Sequence, residues 1–203
     1  MRHEPAEDIK CKIVDYMLAK YPNIIIGNEI MYGTSRKVVD LLCILDNQTI
    51  AIEIKSDSDN IYRLSGQLNE YSKVFDKIIV VTTLSQQSKV IKMLPLNIGL
   101  IVIRGEALTE VKAPKDIKTH SKREILYSMT SSYLKDHFHL RHNLRSDDVR
   151  KELGKKNVVT LHNALIHYFT LKIQKNFFCF MDDRGRISNS DDIPTLSSGD
   201  IIL

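Results

Sequence analysis

Two carboxylates and a lysine stand at a spacing that can do metal chemistry. In the run VVDLLCILDNQTIAIEIK, two apolar stretches rich in β-branched residues flank the turn signal Asp46-Asn47, so residues 38–55 read as a β-hairpin. With Asp46 and Asn47 as the loop, Leu45 pairs with Gln48, and counting back sets Asp40 opposite Glu53. Opposed residues share a face, with Cβ atoms about 5 Å apart. Lys55, two residues past Glu53, shares it too. The rest of both strands is almost wholly apolar, and burying such charges is costly unless something compensates them. A divalent cation would do so. Asp40, Glu53 and the Ile54 carbonyl are hard oxygen ligands of the kind Mg²⁺ (or Mn²⁺) accepts. The ordinary reading is a structural ion pair between Glu53 and Lys55, and for so short a pattern in an arbitrary chain it is the commoner one.

The neighbouring residues shift that balance. Glu29 lies upstream in a strand-like run, Gly27–Tyr32. Downstream, Ser56-Asp57-Ser58-Asp59-Asn60 suits the start of a helix. That helix carries Arg63, Gln67 and Tyr71 four residues apart, hence on one face. Ile61, Leu64, Leu68 and Phe75 form the apolar stripe beside them, fit to pack on a sheet.

The elements that must position these residues follow from periodicity. Pro5 to about Lys20 reads as a helix, with Ile9, Ile13 and Met17 at four-residue spacing. Residues 24–32 give an edge strand, and Gly33–Lys37 a basic loop leading to Asp40. After the hairpin and the Gln67–Tyr71 helix, Lys77–Thr83 and Ile98–Ile103 are continuous apolar runs, the mark of strands buried on both faces. A short helix, Gln86–Leu94, lies between them. The order is α-β-β-β-α-β-α-β, an α/β class. Residues 112–120 (KAPKDIKTH) are polar and contain Pro114, so a linker is expected there. It divides a core, 1–111, from a mainly helical region, 112–203. The second region holds helices at Arg123–His139, Ser146–Leu153 and Val158–Gln174. Gly154-Lys155-Lys156-Asn157 is a basic turn between two of them. Two arrangements fit: a plain helical cap on the sheet, which is favoured, or a winged helix with 177–181 and 186–188 as its hairpin. The tail from Ser188 to Asp200 is rich in Ser and Asp and is expected to be loosely held.

Bulk properties limit the choices. The 203 residues are 43% hydrophobic and 27% charged, which suits one sizeable core, or a core with a small appendage. No apolar run approaches the ~18 residues of a membrane span, and MRHEPAEDIK lacks the pattern of a signal peptide. Cys11, Cys43 and Cys179 are odd in number and widely spaced, as expected of reduced thiols in a cytoplasm. The net charge of +4 is uneven: residues 1–110 carry −1 and residues 111–203 carry +5. A basic half is a candidate phosphate-binding surface, though a modest excess is more often a solvated face. His137, His139 and His142 form an H-x-H-x-x-H cluster beside Asp136. On one helix His139 and His142 share a face and His137 does not, so they read as solvated or phosphate-contacting rather than zinc-binding. No Gly-rich phosphate loop is present, which argues against NTP-driven activity within the chain.

Taken together, Glu29, Asp40, Glu53-Ile54-Lys55 and Gln67-Leu68-Asn69-Glu70-Tyr71 resemble the PD-(D/E)XK nuclease superfamily, the restriction-endonuclease-like fold. The last string is similar to the Q-x-x-x-Y helix of RecB-type nuclease domains, and the stretch 53–81 looks like that of short bacterial and phage-borne members. The resemblance covers about the first half of the chain. Val39 departs from it, standing where a proline is usual. Many relatives take their first acid from the N-terminal helix, where Glu7 and Asp8 stand, so that role falls to Glu29 or to one of these.

The resemblance implies an α/β/α core with a mixed central sheet. It implies a Mg²⁺- (or Mn²⁺-) dependent deoxyribonuclease, endo or exo. Asp40, Glu53 and the Ile54 carbonyl hold the metal. Lys55 orients or deprotonates the water, or offsets charge. Glu29 completes the acidic cluster, while Gln67 and Tyr71 position phosphate or water. Arg36, Lys37 and Arg63, with Lys155 and Lys156 of the basic half, contact the DNA backbone. The alternative is a non-catalytic nucleic-acid-binding or regulatory subunit of a defence, repair or mobile-element complex that keeps the fold. A protein partner supplying targeting or a motor, and a homodimer, stay open. No membrane is expected.

Overall fold

A computed structural model describes residues 6–197, with side chains from Glu7 onward. The expected helix start at Pro5 and the tail after Ser197 lie outside the described residues. Helix α1 (Ala6–Lys20) leads to strands β1 (Ile25–Tyr32), β2 (Lys37–Leu45) and β3 (Gln48–Lys55). A single 3₁₀ turn (Ile61–Arg63) feeds helix α2 (Leu64–Tyr71). Then come β4 (Lys77–Thr83), α3 (Gln87–Met93), β5 (Gly99–Arg104) and β6 (Ala107–Lys112). The second half holds α4 (Lys122–Ser128), α5 (Ser131–His137), α6 (Ser146–Leu153) and α7 (Val158–Asp183), closed by a 3₁₀ turn (Ile193–Leu196). The chain is an α/β protein: an N-terminal α/β region followed by a mostly helical one.

The six strands form one mixed sheet in sequential order. The pairs β1–β2, β2–β3 and β5–β6 are antiparallel, and β3–β4 and β4–β5 are parallel. The parallel strands read KIIVVTT and GLIVIR, apolar on both faces because both faces are covered. On one face Leu42, Ala51, Val80 and Val102 pack with Leu64, Leu68 and Tyr71 of α2 and with the buried sides of α4–α7. On the other, Leu41, Ile52, Ile79 and Ile101 meet Ile9, Ile13, Val14 and Met17 of α1.

The linker expected after Lys112 carries no regular structure between β6 and α4, and the helices beyond it share the core of the sheet rather than forming one of their own. Helix α7 runs 26 residues, about 39 Å. It begins in the core of the first face at Leu161, crosses the edge at β1 and ends with Phe177 and Phe180 in the core of the second. The crossing is close. A Cβ on Gly27 of β1 would lie 2.7 Å from Ile173 Cγ2, so only glycine admits the helix there. The exposed edge of β1 is thereby covered.

Two expectations are corrected, the less favoured alternative is excluded, and one strand is added. The 123–139 helix is two, because Thr130 turns extended and its hydroxyl accepts the Tyr133 N–H at 3.3 Å, capping α5. The winged hairpin is absent: 177–181 is the last part of α7, where Phe177 and Phe180 fall three apart on the buried side. Strand β6 went unread because ALTEVK is nearly all exposed and lacks apolar alternation; it is set by the two-residue turn Gly105-Glu106, with Gly105 at φ +62°. Up to Ser197 the tail is tied down. Ser188 donates its N–H and hydroxyl to Asp15 at 3.0 and 2.7 Å, and Ile193 and Leu196 are buried.

Candidate functional site

Local pairing builds the site. The hairpin ladder runs from Leu45↔Gln48 to Leu41↔Ile52, as the turn residues implied. One step further the register would pair Asp40 with Glu53, and there the strands part. The Ile54 N–H, which a continuing ladder would give to the backbone of β2, goes instead to Asp40 Oδ2 at 2.7 Å. In a strand, the N–H and C=O of one residue point to the same side. The Ile54 carbonyl therefore also faces the Asp40 side, where the ladder has ended.

The neighbouring strand is irregular at the same level. Glu29, flanked by the pairs Asn28↔Leu41 and Ile30↔Val39, has φ +54°, a left-handed backbone in the middle of a strand. The alternation of side chains slips there. Gly27 meets α7 on the helical face, yet Ile30 and Tyr32 also belong to that face's core. Opposite, Val39 and Leu42 likewise both face the helices. Strain of this kind concentrates beside functional sites. Glu29 is half-exposed and takes the Lys10 ammonium at 2.7 Å.

Glu53 is the centre of the cluster. It lies opposite Val80 of β4 and is 2% exposed. Lys55 Nζ donates to its Oε1 at 2.6 Å, and Gln67 Nε2 to the same atom at 2.6 Å. The Tyr71 hydroxyl donates to Oε2. Gln67 and Tyr71 are one turn apart on α2, and their common face points at the end of β3. Asn60 accepts the Tyr62 N–H at 2.9 Å and starts the 3₁₀ turn that leads into this helix. Tyr32 and Phe75 pack tilted and edge-on against the Tyr71 ring, with centroids 5.5 and 5.7 Å away. The phenol is therefore held rigidly.

Burial first, then the neighbouring Glu53 charge, pushes the Asp40 carboxyl up from its ordinary 3.8 to about 6; the Ile54 N–H and the Lys55 and Lys10 ammonium groups act the other way. Burial and Glu53 also push the Tyr71 phenol far up, so it stays a proton donor. Gln67 Oε1 is buried without a hydrogen-bond partner.

Asp40, Glu53, Lys55, Gln67 and Tyr71 are thus brought together, with Glu29 beside them. On the N-terminal helix Glu7 and Asp8 are exposed, while Lys10, with its side chain 8% exposed, pairs with Glu29 and acts on Asp40. Sequence reasoning passed over Lys10. Its only signal was its place beside Ile9 on a helix whose buried side was legible. Arg63 shares the α2 register but is exposed, as are Arg36 on the β1–β2 turn and Lys37 at the start of β2. Lys155 and Lys156 sit elsewhere. Their turn precedes α7, whose His162 lies 3.2 Å from the Val74 carbonyl, in the link between α2 and β4. Glu53 stands about 13 Å along β3 from Thr49, the residue that meets Asp76 at that end. Lys156 instead lies over the Phe138 ring, 5.3 Å from its centroid. The histidines 137, 139 and 142 do not converge. His142 is exposed near Asp136, at 3.6 Å, and His137 meets the Tyr133 hydroxyl at 3.1 Å.

Comparison with known proteins supplies a family. The model of the family described as bacteriophage P4 protein cII matches residues 1–197. The chain belongs to that family. Within it, the chain is similar to protein cII of Enterobacteria phage P4, at 28% identity over 97 residues. The match takes in 47% of this chain and 36% of that relative, so the chain spans about a third of the length of the curated cII protein. Among solved structures, a protein of unknown function from Silicibacter pomeroyi aligns over 72% of this chain and 92% of its own, at 13% identity and a TM-score of 0.44. No helix among the described residues is long and apolar enough to cross a membrane.

Proposed function

We propose that this cII-family chain is a divalent-metal-dependent nuclease of the PD-(D/E)XK type, hydrolysing phosphodiester bonds of DNA. The observation that carries the proposal is the buried meeting of Asp40 with Glu53 where the hairpin parts, beside Lys55. Burial first, and then repulsion from the neighbouring Glu53 carboxylate, push the Asp40 carboxyl up to about 6, and a bound cation would relieve both. Gln67, whose Nε2 donates to Glu53, has its Oε1 buried without a hydrogen-bond partner. The donor set fits Mg²⁺ or Mn²⁺: two carboxylates and the Ile54 carbonyl, all oxygen.

Asp40, Glu53 and the Ile54 carbonyl would hold the ion. Bound there, it would polarise a phosphoryl oxygen and lower the pKa of a water. The Lys55 ammonium, steadied by Glu53, would lie beside the scissile phosphate and offset charge that builds on its oxygens. Gln67 would fix a water or phosphate oxygen through its amide. Tyr71 would keep Glu53 in place, and Lys10 with Glu29 would flank the acids. Exposed Arg36, Lys37 and Arg63 would meet the backbone phosphates, a salt-dependent and sequence-blind contribution. The free cysteines Cys11, Cys43 and Cys179 suit a reducing cytoplasm.

One observation favours the second reading, a binding or regulatory module without turnover. Both Glu53 oxygens already have donors in Lys55, Gln67 and Tyr71, which also satisfies a purely structural buried ion pair. The deciding experiment incubates the purified chain with supercoiled, linear, single-stranded and branched DNA and Mg²⁺ or Mn²⁺. Cleavage lost on chelation and in Asp40→Asn supports the nuclease. Metal-dependent DNA binding without any cleavage turns the choice to the second reading.

A further inference from the structure

A second constellation lies at the other end of the sheet. Asp76 stands just before β4, His120 in the segment between β6 and α4, and His162 in the second turn of α7. Forty-two residues or more separate any two of them, so no motif announces the group. The two imidazole rings stack at 4.3 Å between centroids and 3° between planes. Their Nε2 atoms lie 3.8 Å (His120) and 3.5 Å (His162) from Asp76 Oδ1. The three side chains are only 9%, 9% and 14% exposed in the order His120, His162, Asp76.

We propose that Asp76, His120 and His162 bind a zinc-class divalent ion that fastens α7 and the β6–α4 segment to the sheet. Three observations carry this. The carboxylate is aimed: Asp76 Oδ2 accepts the Thr49 N–H at 2.8 Å and the Thr49 hydroxyl at 2.9 Å, leaving Oδ1 turned to both imidazoles. Such fixing of a ligand by an outer hydrogen bond is a habit of metal sites. The spacing is close: bonds of about 2.05 Å to a tetrahedral ion set ligand atoms about 3.4 Å apart, against 3.5 and 3.8 Å from Asp76 Oδ1 to the two imidazole nitrogens, with all three atoms within 4.8 Å of one another. The chemistry selects the ion: two imidazole nitrogens and one carboxylate oxygen suit zinc and its neighbours better than Mg²⁺. The hydrogen bonds the imidazoles make instead are at the weak end: His162 Nε2 lies 3.2 Å from the Val74 carbonyl, the upper limit of the usual range, and His120 Nε2 3.3 Å from that of Phe75, just beyond it.

The same corner is where the two halves of the chain are joined. The Ile117 N–H donates to the Asp76 carbonyl and the Ser121 N–H to that of Lys73, each at 2.8 Å. A cation here would bind the folded chain alone and so stabilise that junction. This site is separate from the Asp40–Glu53 cluster and stands whether or not the chain is a nuclease.

The test uses the full chain stripped of metal by a chelator, with Zn²⁺ as the only addition. It is done in wild type and in Asp40→Asn, so that ions held by the acid pair are recognised. A competing chromophoric chelator reads the affinity. The expected result is about one equivalent taken up in both proteins, a raised melting temperature, and affinity at least about tenfold lower in His120→Gln and in His162→Gln. Should those variants fold poorly, imidazole resonances of the wild type decide: on zinc addition those of His120 and His162 shift. No uptake by wild type, uptake unchanged in both variants, or shifts confined to other histidines would overturn the proposal.

Discussion

Asp40 accepts the N–H of Ile54 at 2.7 Å across a gap where their strands no longer pair, and the carboxylate so held feels the charge of Glu53. The two acids then share a buried space, and the strain of that arrangement has a measurable pH signature. An Asp40 carboxyl raised from 3.8 to about 6 holds a proton in the native state that the unfolded chain has already released. Stability of the metal-free protein therefore falls as pH rises from about 4 to about 6, by something on the order of 2–3 kcal/mol. Asp40→Asn imitates the protonated form. In chelator at pH 7.5 it should melt higher than wild type, and below pH 4 the two should converge. Equal melting curves across that range would show that burial and Glu53 do not hold the Asp40 carboxyl above its ordinary range.

Calorimetry with Mn²⁺ addresses the proposed metal directly. Wild type should bind, and Asp40→Ala should not. Glu53→Gln should bind much more weakly while staying folded, because the amide still offers Lys55 an oxygen. Glu53→Ala is the poorer variant, since it leaves the buried Lys55 ammonium unpaired, at a cost of about 3–5 kcal/mol. Undiminished Mn²⁺ affinity in both Asp40→Ala and Glu53→Gln would remove these residues from the metal site.

Lys55→Ala separates catalysis from binding. Lysine is no metal ligand, so Mn²⁺ affinity should stay within a few-fold of wild type. DNA cleavage should drop by about 10²-fold or more. Lys55→Arg should rescue little, because the planar guanidinium is larger and does not fit a site where the ammonium sits 2.6 Å from Glu53. Gln67→Ala should lose less. Metal-dependent cleavage that survives intact in Lys55→Ala would point to a contaminating enzyme or to another site.

Gly27→Ala tests how α7 docks. The added methyl would meet Ile173 Cγ2 at 2.7 Å, and the clash should lower stability by about 1–3 kcal/mol in urea unfolding. Ile173→Ala should relieve part of that cost, giving a double variant less unstable than the two single losses added. Strict additivity would mean that the helix does not press on β1 there.

Ending the chain at Lys112 tests whether the first half is independent. Tyr71, Phe75, Val80 and Val102 share one core with Leu126, Leu134, Leu165 and Phe169. The shortened chain should therefore lack a cooperative melting transition. A sharp transition, with native-like dispersion of its amide resonances, would show that residues 1–112 fold alone.

Much of the site was legible from local pattern. Turn residues at 46–47 set the hairpin register, and a period of two put Glu53 and Lys55 on one face, as the structure has them. The four-residue step from Gln67 to Tyr71 put both on one side of α2, where both reach Glu53. Strands β4 and β5 were legible because full burial leaves an unbroken apolar run. These are short-range consequences of backbone geometry, and the sequence by itself determined them.

Tertiary structure decided the rest, because the deciding contacts join residues far apart in the chain. The parting of β2 from β3 at Asp40, the left-handed turn at Glu29 and the entry of Lys10 from α1 all depend on packing between elements, which periodicity does not report. Phe177–Met181 could be read as strand or helix from its residues; the apolar space beneath β1 made it helix. Asp76, His120 and His162 become neighbours only when α7 and the β6–α4 segment close on the same corner of the sheet. Side chains that distant meet through the folding of the whole chain, and no spacing along it records the meeting.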